Sequence, residues 1–174
     1  MLSRKVELPG KRNKILISLL VLIILLGSGC WYYSFTEKPY PHIENTYIEA
    51  FENETDRYDI APAVTDGLIM KLQGAGLFKL AGREESQSLI SGIVRSYERE
   101  AYTYTAGEEP LDYIVRIRAQ VEFYDVKAGK SLWKTTLEGF STYPADESTK
   151  NEETAREEAI GLLVERIIDR LRQG

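Results

Sequence analysis

Cysteine and histidine occur once each in 174 residues, as Cys30 and His42, and methionine and tryptophan only twice. A lone cysteine excludes an intrachain disulfide, and a lone histidine with no cysteine nearby lacks the donor set of a zinc or catalytic centre. His42 is therefore expected to have a surface or packing role. The chain also has no G-x-S-x-G element, no metal-ligand spacing and no glycine-rich phosphate loop. Gly74-Ala75-Gly76 comes nearest, but it has no third glycine and follows a helical pattern rather than a strand. The acidic pairs Glu84-Glu85, Glu108-Glu109, Glu152-Glu153 and Glu157-Glu158 raise the question of a glycosidase, which works with two carboxylates. Neighbouring residues do not converge on a helix and face opposite ways on a strand, so these pairs read as solvated charge. Binding, without metal or cofactor, is expected rather than catalysis.

What the chain does have begins at its N-terminus. Arg4, Lys5, Lys11, Arg12 and Lys14 stand against one acid, Glu7; Ile15 to Leu26 is apolar apart from Ser18, and Gly27, Ser28 and Gly29 directly precede Cys30. This order of charged, apolar and small residues is that of an export signal, and with the cysteine in that place it resembles a bacterial lipoprotein signal. The resemblance implies removal of residues 1–29 and acylation of Cys30, giving a membrane anchor of two or more acyl chains. The alternative is an uncleaved anchor, because residues 15–36 carry no charge and about 20 such residues span a bilayer. On either reading the rest of the chain lies outside the cytoplasm. That remainder holds 17 bases against 26 acids, and such a balance excludes nonspecific nucleic-acid binding, which needs a basic face.

Residues 30–45 read as a lipidated N-terminus and tether or extended lead-in, with Pro39 and Pro41 bracketing aromatics. One domain, 46–174, follows. Thr46 to Asn53 alternates as a strand with Ile48 and Ala50 on one face, and Glu52 to Asp59 is polar. A helix is expected next, with Pro62 in its first turn, Val64, Leu68 and Leu72 on one face, and Gly74 and Gly76 as a stop. Leu77 to Ala81 is a short candidate strand. Three long strands are then predicted: Leu89 to Tyr104, Asp112 to Val126 and Ser131 to Tyr143. In the second, Tyr113, Val115, Ile117, Ala119, Val121 and Phe123 share one face, while Arg116, Arg118, Gln120, Glu122 and Tyr124 take the wet one. On this assignment Ile117→Asp disrupts the fold and Arg118→Asp is close to neutral. A final helix, Glu152 to Arg172, carries Ala155, Ala159, Leu163, Ile167 and Leu171 at steps of four. The expected fold is α+β, a two-layer sandwich whose mostly antiparallel sheet is covered on one face by two helices.

These elements carry F-x-N-x-T (Phe51, Asn53, Thr55), Thr65 in the first helix, S-G-I (Ser91 to Ile93) and Y-x-V-x-I (Tyr113, Val115, Ile117), then D-x-x-x-G-K-x-L-W (Asp125, Gly129, Lys130, Leu132, Trp133) and A-R-E-x-A-I (Ala155 to Ile160). In that order, behind a lipoprotein-like signal, they resemble the LptE family of lipopolysaccharide-assembly lipoproteins. The resemblance implies a lipid-anchored protein on the periplasmic face of the outer membrane that plugs the LptD β-barrel and helps deliver lipopolysaccharide to the outer leaflet. An envelope lipoprotein that regulates a periplasmic enzyme, or that builds a different secretion pore, is the other reading. Since the domain is acidic, contact with polyanionic lipopolysaccharide is expected at isolated bases: Lys150, ahead of the last helix with its free N–H groups, and Arg116 with Arg118 on the wet face.

Overall fold

The structure is a computed structural model that describes residues 39–174; residues 1–29, expected to form a signal, and Cys30 lie outside them. The strands are β1 (Asn45–Ile48), β2 (Glu52–Asn53), β3 (Lys79–Leu80), β4 (Ser88–Tyr104), β5 (Pro110–Asp125) and β6 (Lys130–Pro144). Two helices, α1 (Ile60–Ala75) and α2 (Glu152–Gln173), accompany them, with a single 3₁₀ turn at Arg83–Glu85. The open sheet runs β3-β1-β4-β5-β6, with β2 beside β4. β4, β5 and β6 form an antiparallel meander, whereas β1, β2 and β3 join in parallel. Helix α2 packs on β5 and β6, α1 packs on α2 and reaches β2 and β4, and both lie on one face of the sheet. This is the two-layer α+β arrangement expected from the periodicities.

The helices form where their apolar stripes recur. Val64, Leu68 and Leu72 of α1 are fully buried, as are Ala155, Ala159, Leu163, Ile167 and Leu171 of α2. Gly76 ends α1 in the left-handed region at φ 64°, where glycine is unstrained. Asn151 caps α2 by accepting from the Thr154 amide at 3.0 Å. On β5, Val115, Ile117, Ala119, Val121 and Phe123 have no exposed surface. The wet-face alternates are all part-exposed.

The first strand departs from expectation. Thr46 to Asn53 is not one strand but β1 and β2 with a break at residues 49–51, and Ala50, expected on the buried face, is exposed while Phe51 is buried. The cause is local. The Phe51 amide donates to Thr65 Oγ1 of α1 at 3.0 Å instead of to the sheet, and its ring lies against Gly92 of β4, where an added Cβ would sit 2.2 Å from the ring. One residue is thereby taken out of the alternation, which reverses its parity.

The described end of the lead-in, residues 39–45, is packed. Tyr40 and Ile43 belong to the core, with the Tyr40 ring edge-on to Phe123 at 5.0 Å between centroids. His42, expected to have a surface or packing role, is exposed, and its Nε2 lies 2.7 Å from Asp125 Oδ2. Asp125 is itself buried and accepts the Ala128 amide at 2.8 Å, so it closes the β5–β6 turn. The turn amide first, and His42 second, hold its carboxyl below the usual range.

Candidate functional site

The motifs that carry the family resemblance meet as structural parts. Phe51, Thr65 and Gly92 form one node, as described above. Asn53 accepts the Thr55 amide at 3.0 Å and donates to Arg57 O at 2.8 Å, a closed turn between β2 and α1. Gly129 takes φ 63° in the β5–β6 turn, and Trp133 is buried against Phe123. Ala155 and Ala159 let α2 approach the sheet where β6 has Gly139: a Cβ there would lie 2.0 Å from the Ala159 carbonyl oxygen and 2.7 Å from the Leu163 amide. These residues shape turns and packing.

The three bases singled out from the sequence are exposed in part and already paired. Arg118 Nε donates to Glu138 Oε2 at 2.8 Å and its Nη1 bonds to Glu98, while Arg116 Nη1 is 3.6 Å from Glu138 Oε1. This Glu98–Arg118–Glu138 ladder crosses β4, β5 and β6 on the face away from the helices. Lys150 Nζ donates to Glu158 Oε2 at 2.7 Å and to Ser141 Oγ at 2.9 Å. The Lys150 bond first, then that of Ser141, lowers the Glu158 pKa. Ser141 pairs in register with Val115, whose side chain faces the core, so Lys150 lies on the helix side of the sheet and the two arginines on the other. The structure brings Arg116 and Arg118 together on one carboxylate and keeps Lys150 apart from them.

A second cluster is not legible in the sequence. Glu152, in the first turn of α2, accepts from Arg57 Nη2 and Tyr97 Oη, each at 2.8 Å, and pairs with Arg99 Nε at 3.1 Å. The Arg99 guanidinium lies 3.8 Å from the Tyr113 ring centroid and bonds the Tyr143 hydroxyl. Burial, and after it the bond to Glu152, pushes the Tyr97 hydroxyl pKa up. These residues come from four separate elements and the β2–α1 connection, so no spacing signals them. On the outer side of the helices, Ala63, Gly67 and Met70 of α1 and Ile160, Gly161 and Val164 of α2 line a shallow apolar groove of about 590 Å³. Among the described residues, no group of three or more His, Cys, Asp or Glu could hold a metal ion, and no helix is long and apolar enough to cross a membrane.

Solved structures share the fold at low identity. Protein CT253 from Chlamydia trachomatis is similar over 75% of this chain and 96% of its own, at a TM-score of 0.54 and 8% identity. Protein XCC0632 from Xanthomonas campestris, of family DUF330, covers 76% and 86% at 0.52 and 11%. A minor lipoprotein from Acinetobacter baumannii covers 75% and 92% at 0.50 and 16%. At such identities the likeness is one of fold. No curated protein matches in sequence. The lipopolysaccharide-assembly family LptE matches residues 43–171, which is the whole domain from the packed lead-in to the last turn of α2, and the chain therefore belongs to the LptE family.

Proposed function

We propose that this protein is an outer-membrane lipoprotein, anchored at the periplasmic face through acylated Cys30, that plugs and supports an LptD-like β-barrel and assists lipopolysaccharide delivery to the outer leaflet. Membership of the LptE family over residues 43–171 carries this reading. The fold is compatible with it, because among the described residues one sheet face has no helix over it and presents a self-neutralised charge ladder. Such a face can approach the polar lining of a barrel lumen without leaving a buried charge unpaired. The role is assembly and binding rather than catalysis. Lys150, Arg116 and Arg118 are the proposed lipopolysaccharide contacts, each exchanging a carboxylate partner for a phosphate.

A C-terminal tag tests the partner. Pulldown from solubilised membranes is expected to recover a large heat-modifiable barrel; recovery instead of a peptidoglycan enzyme, or of a ring of identical subunits, rejects the plug. For the ligand, Lys150→Glu is expected to weaken lipopolysaccharide binding by the purified protein several-fold at low salt, where such contacts are least screened. Unchanged binding removes Lys150 from the site.

A further inference from the structure

Bases are distributed unevenly. Among the described residues, Lys79, Lys127, Lys130, Arg166 and Arg170 make no ion pair with an Asp or Glu side chain, whereas the other bases do. Arg166 is occupied at the edge of the sheet, where it donates to Glu138 O. The remaining four gather at one end of the domain. Register puts Leu80, Thr46, Ser88, Asp125 and Lys130 in one row across the sheet, with Lys79 beside Asn45. Lys127 lies in the β5–β6 turn just beyond that row. Arg170 stands over Trp133 and donates to Gly174 O. Asp125 is buried with His42 and Asp169 pairs with Arg172, while Lys79 shares the β1–β3 side with Glu84, Glu85 and Glu44, whose carbonyl accepts the Lys79 amide at 2.9 Å; Lys127, Lys130 and Arg170 stand apart from those acids on the β5–β6 side. Beside the two turn lysines, Val126 is 48% exposed. At the opposite end of the sheet the β4–β5 connection carries Glu108 and Glu109.

The described chain also enters at the basic end, since Pro39 lies against Gly174, where an added Cβ would be 3.2 Å from Pro39 Cβ. Eight residues, 31–38, separate Cys30 from Pro39, and nine such steps reach at most about 30 Å. We propose that the β5–β6 turn is a membrane-facing surface that rests on anionic phospholipid headgroups through Lys127 and Lys130, with Val126 seated among them. Each lysine close to an anionic bilayer adds attraction that decays within a Debye length, and lysine stems can lie along the headgroup layer while the ammonium groups stay hydrated. A neutral or basic surface meets no such attraction, and the acidic opposite end would be repelled. The proposal rests on the Cys30 anchor only for holding the domain at the bilayer.

The test uses the full chain, purified with its own anchor and reconstituted into phosphatidylcholine vesicles with or without phosphatidylglycerol. Val126→Cys and, as the opposite-end control, Leu111→Cys each receive a fluorophore, and quenching by headgroup-labelled lipid is read. In phosphatidylglycerol vesicles, quenching at 126 is expected to exceed that at 111 severalfold and to drop about fivefold or more with Lys127→Glu/Lys130→Glu or in high salt. Equal quenching at the two positions, or no dependence on phosphatidylglycerol, overturns the surface. Mass spectrometry of the same sample reports the anchor separately: an unmodified Cys30 in an intact N-terminus defeats the lipoprotein reading, while the quenching at 126 still decides the surface.

Discussion

Gly139 and Gly161 differ in what a methyl group would meet. At Gly139 an added Cβ runs into the α2 backbone, whereas at Gly161 it has nothing within 4 Å. Gly139→Ala is expected to cost about 3 kcal/mol, because neither backbone can give way, and Gly161→Ala to stabilise by about 1 kcal/mol through helix propensity; urea unfolding of the two variants measures both. The charged face requires a revision of the same kind. Ile117→Asp and Leu163→Asp place a charge at positions with no exposed surface and should cost several kcal/mol. Arg118→Asp, expected from the sequence to be close to neutral, is now expected to cost stability, since it removes the partner of Glu98 and Glu138 and sets a third carboxylate between them. A loss of about 1 kcal/mol is expected for these part-exposed groups, and a melting temperature equal to that of the parent would show the ladder to be energetically idle. Asp125 gives a pH signature. A carboxyl held below its unfolded value, about 3.9, stabilises the fold above that value, and the contribution is lost as pH falls through the folded one. The wild-type melting temperature should therefore fall more steeply below about pH 4 than that of Asp125→Asn.

At the scale of elements, the N-terminus of α2 ties the two layers together. Glu152 gathers Arg57 from the β2–α1 turn with Tyr97 and Arg99 from β4, while its neighbour Glu153 pairs only within α2, with Arg156. Both acids look alike as first-turn carboxylates favoured by the helix dipole. Glu152→Ala leaves three donors short of an acceptor and is expected to destabilise by about 2 kcal/mol. Glu153→Ala should change stability by no more than about 0.5 kcal/mol. Comparable losses in the two melts would mean that the hub adds nothing beyond the dipole. β4 shows a second elemental effect: register shifts between Val94 and Ser96 and again past Ala101 let one 17-residue strand keep Ile90, Val94 and Tyr97 against the core while its far half extends past β2. A bulge changes which side chains face inward without ending the strand.

Among the described residues, the sheet has one face covered by helices and one without, and its ends differ in charge. The proposed plug and membrane-facing turn rest on that asymmetry rather than on any single pocket. Cys30→Ala is expected to leave an unprocessed precursor in the inner membrane, seen by fractionation as a heavier band. Normal processing and normal sorting of this variant would defeat acylation as the anchor.

Period and composition were enough to determine the α+β class, the faces of α1, α2 and β5, and a glycine stop at the end of α1, because each follows from which residues must leave water and which backbone angles a helix end demands. The family was legible too, since its motifs occupy fixed places in that order. Contacts between distant elements were not. The break between β1 and β2 depends on a hydroxyl of α1 and a missing Cβ on β4. Glu152 becomes a hub only when β4 passes it, and the pairing of Arg116 and Arg118 is set by strand register. Lys150 and the arginine pair are grouped as isolated bases along the chain, yet they lie on opposite sides of one sheet, Lys150 through its bond to Ser141. Sequence spacing encodes local period, whereas the meeting of side chains far apart in the chain is decided by packing, and only the tertiary structure could tell a solvated charge from a bound one.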